Sequence, residues 1–151
     1  MNVKPDTSKA EPLHSVLSGH VKPADMPWDK MRFPGCECKT LLFDPKSGLA
    51  TVLMKMQPGA TLPDHEHVLI EQTYVLSGSL VDKEGPDKGL EVKAGEFVWR
   101  PAGSRHVAWC PKGGEMIAIF QIPNKFYEKD GRVTDAAGKI WDEVWGHVGK
   151  H

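Results

Sequence analysis

No window of this 151-residue chain approaches the roughly 20 apolar residues needed to cross a bilayer. A membrane-spanning helix is excluded on that ground. The amino-terminal MNVKPDTSKAEPLHSVLSGH has no continuous apolar stretch and is interrupted by Pro5, Asp6 and Pro12, unlike a secretory signal. The expectation is a soluble, cytoplasmic protein with no membrane partner. An excess of either charge is missing too, since 19 Lys and Arg stand against 20 Asp and Glu for a formal net charge of -1. No Lys/Arg run is dense enough to follow a phosphate backbone, so nucleic acid is not expected as a partner. Cysteine is scarce. The three present, two of them in Cys36-Glu37-Cys38, form neither an even disulfide framework nor the paired CxxC of a zinc ribbon. They read as reduced structural thiols.

The length fits one domain. Residues 1–37 are rich in Pro, Lys and Asp without a sustained period and read as an amino-terminal arm. Between 38 and 123, strand-length apolar runs follow one another: KTLLF, LATVLMKM, TYVLSGSLV, LEV, EFVW, HVAW and EMIAIFQI. Turn signals such as Asp44-Pro45, Pro58-Gly59, Gly85-Pro86 and Pro101-Ala102-Gly103 separate them. Short strands with Gly/Pro turns and no long helical period predict an all-β antiparallel barrel or sandwich, with a jelly roll as the nearest standard solution. Residues 124–151 form a tail. A hairpin is predicted around Asp130-Gly131 and a short helix whose face carries Ile140, Val144 and Trp145, packed on the barrel or on a partner subunit.

Two blocks carry the chemistry. In GATLPDHEHVLIEQTYVLSG, His65 and His67 are two residues apart, and on a strand both project from one face. Glu71 follows four residues later, and GEFVWRPAGSRHVAWC adds His106. A lone buried histidine is more often a satisfied core residue, so the weight rests on the joint spacing. Three imidazoles and a carboxylate leave positions open on a five- or six-coordinate ion, the condition for catalysis. Glu71 either ligates the ion or acts as the catalytic proton acceptor, the plainer alternative being a solvated or salt-bridged carboxylate. Strand alternation puts Cys110 on the face of His106 and Ala108, where it touches the pocket or serves as a small core residue. Met54, Met56, Phe97 and Trp99 are further pocket candidates, although alternation turns half of such apolar residues outward. His14, His20, His147 and His151 match no motif and are read as solvated.

These blocks resemble the two signature motifs of the cupin superfamily. Gly59, His65, His67, Glu71 and Gly78 fill the first; Gly95, Pro101, Gly103 and His106 fill the second, with Cys110 in place of its Asn. The resemblance implies a cupin jelly-roll barrel (a double-stranded β-helix) holding one divalent metal ion per subunit on His65, His67, Glu71 and His106. Iron is the leading expectation, with Mn, Ni, Cu or Zn as alternatives. It also implies a homodimer or higher homo-oligomer. The segment FQIPNKFYEKDGRV is similar to the region after the last barrel strand in acetylacetone- and dihydroxyacetophenone-cleaving dioxygenases. That architecture is shared by the sensory cupin domain of zinc-dependent anti-sigma factors. The β-diketone-cleaving members have three histidines and no glutamate, so Glu71 is a departure that resembles germin-like, quercetin-cleaving and oxalate-degrading cupins.

The expected function is that of a mononuclear non-haem Fe(II) dioxygenase, an oxidoreductase cleaving a small dicarbonyl, hydroxyketone or related enolisable substrate. The alternatives are a non-enzymatic metal or small-molecule sensor and a Mn- or Zn-dependent isomerase, decarboxylase or lyase. The last needs a second acid–base group, for which Tyr74, Lys55, Arg100 and Arg105 are candidates, each read more simply as a solvent-facing strand residue.

Overall fold

The computed structural model describes residues 16–148, so His14 and His151 lie outside the described residues. Among the described residues, eleven strands run as β1 (Asp29–Lys30), β2 (Cys36–Phe43), β3 (Leu49–Met56), β4 (Ala60–Glu66), β5 (Glu71–Glu84), β6 (Glu91–Lys93), β7 (Phe97–Arg100), β8 (Arg105–Cys110), β9 (Gly114–Gln121), β10 (Lys125–Tyr127) and β11 (Val133–Thr134). A 3-10 turn at Pro23–Asp25 precedes them and one helix, α1 (Trp141–Trp145), follows. The expected all-β architecture with a short carboxy-terminal helix is present. No helix among the described residues is long and apolar enough to cross a membrane.

All strand pairings are antiparallel, in the order β1-β2-β3-β9-β5-β8-β4-β10-β11, with β6 and β7 also on β5. The 14-residue β5 holds the two walls together. Its first half pairs with β7 and β9, and after Gly78 it pairs with β6 and β8. A register shift between Val75 and Ser77 bends the strand there, as an extra residue in one strand of a pair does. Gly78 has φ +67° at this crossing and faces Gly114 across the ladder.

The core between the walls is built from Val75, Leu80, Ala108, Cys110, Met116 and Met56. The amino-terminal segment contributes to it. Phe33 is buried against Phe126 with ring centroids 4.7 Å apart, and β1 pairs with β2 as an edge strand. Upstream, Trp28 covers the Lys39 and Lys55 ammonium groups at 4.5 and 4.2 Å, and Lys39 Nζ donates to the Pro23 carbonyl at 2.7 Å.

In the tail, β10 and β11 form a hairpin with Gly131 at φ +89°. The helix differs from its predicted face. Trp141 and Val148 are the buried residues, packed on Ile122 with Trp145 alongside, while Ile140 bridges to Thr134 ahead of the helix. Five residues make little more than one turn, too short for a 3.6-residue period to select a face. Orientation is set instead by Trp141 Nε1 donating to the Pro123 carbonyl at 2.8 Å.

Candidate metal centre

Register brings the histidines together. His65 on β4 stands directly opposite His106 on β8, after a register shift between Leu62 and His65 that takes up Pro63 and Asp64. Proline, which cannot donate to a ladder, is accommodated at such an irregularity. His67 lies one residue past the end of β4. Its amide donates to the Ser104 carbonyl at 2.9 Å, and its carbonyl accepts from the Gly103 amide at 2.7 Å. The Pro101-Ala102-Gly103-Ser104 turn thereby ties the first block to the second. All three side chains are buried, at 2%, 1% and 7% exposure.

The three Nε2 atoms converge. His67 and His106 are 3.0 Å apart at Nε2, and His106 and His65 are 3.1 Å apart. Each Nδ1 faces an acceptor. His65 Nδ1 donates to the Pro63 carbonyl at 2.7 Å, and His106 Nδ1 donates to Asp82 Oδ1 at 3.0 Å. His67 Nδ1 lies 3.1 Å from Glu71 Oε2, close enough for charge attraction but out of line for a directed hydrogen bond. A carbonyl can only accept, so the His65 proton is on Nδ1 and its Nε2 carries a lone pair. Lone pairs facing one another at about 3 Å repel, and a cation between them removes the repulsion. Metal–nitrogen bonds of about 2.0–2.1 Å place ligand nitrogens about 3 Å apart when they meet at a right angle. The donor set therefore fits a metal ion, with the outward nitrogens of His65 and His106 fixed as metal-binding histidines generally have them.

Burial, followed by the neighbouring His67 and His106, pushes the His65 imidazole down to about 3. Burial would push the Glu71 carboxyl up, but His67, His65 and Asn124 outweigh it and hold it at about 2. Both shifts act in one direction on the metal-free protein. The unfolded chain takes up the His65 proton near 6.5 and the Glu71 proton near 4.5, whereas the folded chain resists both. The urea midpoint of metal-free protein is expected to fall as pH drops from about 6.5 toward 3, more gently in a His65→Leu variant. A midpoint that rose on acidification would contradict the assignment.

Among the described residues, the ligand atoms that cluster are those of His65, His67 and His106. Glu71 stands behind His67 instead, and Asn124 Nδ2 donates to its Oε2 at 3.3 Å. It also lines a cavity of about 350 Å³ that His65 borders, walled by Met54, Leu62, Phe120, Phe126 and Trp145. Met54 thus lines this cavity. Met56 does not, because it packs at the far end of the core, where Cys110 Sγ donates to its sulfur at 3.6 Å. Cys110 shares the inward face of His106 but ends in that same core. Burial pushes its thiol up to about 12, which leaves it protonated and apolar in behaviour.

Phe97 and Trp99 correct the expectation outright. They are 49% and 62% exposed, on the outer face of β7, while Val98 packs against the core and Arg100 is buried. The turn at Gly95 sets the phase of that short strand, and hydrophobicity alone pointed the wrong way. Arg100, read as solvent-facing, is 6% exposed. Tyr74 is exposed, Lys55 pairs with Glu37 at 3.2 Å and Arg105 with Asp64 at 2.6 Å, and none of the three lines the cavity. Asp82 was missed altogether, although it falls two residues after the core residue Leu80, in phase with it.

Residues 18–125 match the family described as the ChrR cupin-like domain. A protein of unknown function with a cupin-like fold from Ralstonia eutropha JMP134 is 30% identical, covering 72% of this chain and 71% of that one, with a TM-score of 0.60. An acetylacetone dioxygenase from Acinetobacter johnsonii is similar at 20% identity, covering 87% and 91%, with a TM-score of 0.72. An RmlC-like cupin from Ralstonia eutropha JMP134 is 19% identical over 91% and 90%, with a TM-score of 0.67. At these lower identities the likeness is one of fold. Comparison with curated proteins finds no match.

Proposed function

The chain belongs to the ChrR cupin-like domain family, and from that premise we propose a mononuclear non-haem Fe(II) dioxygenase acting on a small dicarbonyl, hydroxyketone or related enolisable compound. The observation that carries the reading is the convergence of three imidazole nitrogens beside an apolar cavity with one carboxylate at its inner end. His65, His67 and His106 would hold the ion, which supplies Lewis acidity and, as iron, reactivity toward oxygen. The cavity takes the hydrocarbon part of the substrate. Met54, Phe120, Phe126 and Trp145 favour alkyl or aryl substituents over a sugar and limit water around the reacting carbons. Glu71 is held ionised, and Oε1 is its freer oxygen, with only a long 3.4 Å contact from Thr73 Oγ1. That oxygen receives an enolic hydroxyl or its proton. The likeness to the Acinetobacter johnsonii acetylacetone dioxygenase agrees with this choice of chemistry.

Anaerobic loading with Fe(II), then oxygen-uptake measurements against β-diketones, hydroxyacetophenones and flavonols, tests the proposal. Uptake with one of these classes is the expected result. A non-enzymatic metal or small-molecule sensor is the second reading. Favouring it is the lack of a second free carboxylate among the described cavity residues: Asp135 at the rim has Oδ1 taken by the Ala137 and Lys139 amides and Oδ2 by the Trp145 indole. Tight Zn(II) retention with no oxygen uptake would select that reading or a lyase.

The homo-oligomer belongs to the same proposal. The outer face of β7, β5 and β9 sets Phe97 beside Tyr74 and Ile117, and Trp99 beside Gln72 and Ile119. These residues are uncharged, so two copies meet there without like-charge repulsion. Covering five or six half-exposed large side chains on each copy removes roughly 1,000 Å² in total, near the lower bound of a specific interface. Sedimentation should show a dimer that Trp99→Ser weakens while metal content stays unchanged, and an unaltered association constant would exclude this face.

A further inference from the structure

Asp82 sits on the second half of β5, 2% exposed, and one oxygen, Oδ1, receives two donors. His106 Nδ1 approaches it at 3.0 Å and Arg100 Nη2 at 2.7 Å. Arg100 comes from β7, where it stands opposite Glu71 in the ladder. Cross-strand neighbours of opposite charge ordinarily pair, yet the guanidinium turns to Asp82 and, through Nη1, to the exposed Asp87 at 3.2 Å. Arg100 thus engages the carboxylate behind His106 and leaves Glu71 to the cavity. A buried carboxylate with a buried guanidinium carries a large desolvation penalty, so such a pair is weak evidence for a purely stabilising role. Its geometry is that of a brace on an imidazole. An ionised acceptor on Nδ1 keeps the proton there, leaves Nε2 bare and fixes the ring's rotation.

We infer that Asp82 and Arg100 are positioning residues for His106: Asp82 sets its tautomer and aim, and Arg100 sets Asp82. The inference rests on the reading that His65, His67 and His106 hold a metal ion. Of the three acceptors behind these histidines, Asp82 is the carboxylate with a buried cation of its own. His106 is also the imidazole whose Nε2 lies within 3.1 Å of both others, so its aim matters most to the cluster.

Two variants separate bracing from folding. Asp82→Asn keeps the shape but leaves Arg100 without its buried counter-charge and will lower stability. Asp82→Asn/Arg100→Gln removes both charges together and is expected to melt, metal-free, close to wild type. Two measurements are made on each purified full-length protein. Long-range proton–nitrogen NMR of the metal-free form reads the His106 tautomer directly, and Co(II) titration reads affinity and the visible bands of the bound ion. In wild type, His106 should carry its proton on Nδ1. Both variants should show mixed tautomers, Co(II) binding about 10–100-fold weaker and shifted bands, the range typical of removing a partner behind a metal ligand. Wild-type affinity and bands in the double variant would overturn the inference. So would an Nε2-protonated His106 in wild type, whatever the metal does. Absence of Co(II) binding by wild type, with the Nδ1 tautomer present, would instead refute the metal reading and leave the tautomer assignment standing.

Discussion

Replacing His106 with alanine is expected to empty the metal centre. Its Nε2 lies 3.0 Å from that of His67 and 3.1 Å from that of His65, so removing it leaves the other two without their shared neighbour. A two-imidazole site loses a ligand outright, and its affinity should fall by more than the about 10–100-fold that follows loss of a partner behind a ligand. Metal content, measured after removal and reloading, should drop from near one ion per chain to a trace. Oxygen uptake with any active substrate should disappear with it. The metal-free variant should remain folded, because Asp82 keeps the Arg100 guanidinium at 2.7 Å as its buried partner and the apolar cluster of Val75, Leu80, Ala108 and Met116 is left intact. Full metal occupancy in folded His106→Ala protein would sink the assignment, and full occupancy without activity would separate binding from catalysis.

Gly78→Ala is expected to have the largest effect on folding. A Cβ at this position would overlap the Gly113 carbonyl and crowd Gly114, and these are backbone atoms with no rotamer to change. The backbone also has φ +67°, which adds about 1–2 kcal/mol for any residue with a Cβ. Relief requires β5 and β9 to separate where β5 passes from one wall to the other. The loss should exceed about 4 kcal/mol, the range reserved for a few severe mechanisms, and is read from urea denaturation or from failure to accumulate folded protein. Gly95→Ala is the control. Its φ is also positive, at +83°, but nothing lies within 4 Å of the added Cβ, so only the conformational term of about 1–2 kcal/mol applies. Equal stability of the two variants would refute the close-approach argument.

The glycine contrast shows where reading a sequence stops. Gly78 and Gly95 look alike in the motifs, both ending or opening a block, yet only in three dimensions does one of them meet another strand's backbone. Strand alternation was equally partial. It correctly placed His106, Ala108 and Cys110 on one face of β8, because a period of two follows from the backbone. For β7 it offered two phases, and the apolar one, Phe97 with Trp99, is the face turned outward. The core instead takes Arg100, a choice that makes sense only with Asp82 already buried beside it. Asp82 had no nearby motif partner to mark it, being 24 residues from His106 in sequence.

Local physics, then, was enough for the strands, their turns and the common direction of His65 and His67, since backbone period and glycine or proline turn chemistry act over a few residues and are written in order along the chain, while His106 joined them through the resemblance of its block to the second cupin motif. The brace behind His106, the position of Glu71 against His67, the apolar cavity and the inner face of β7 were decided by tertiary structure. Each depends on which strands the walls bring together, and a buried charge or a bare nitrogen takes its character from neighbours that the linear order keeps apart.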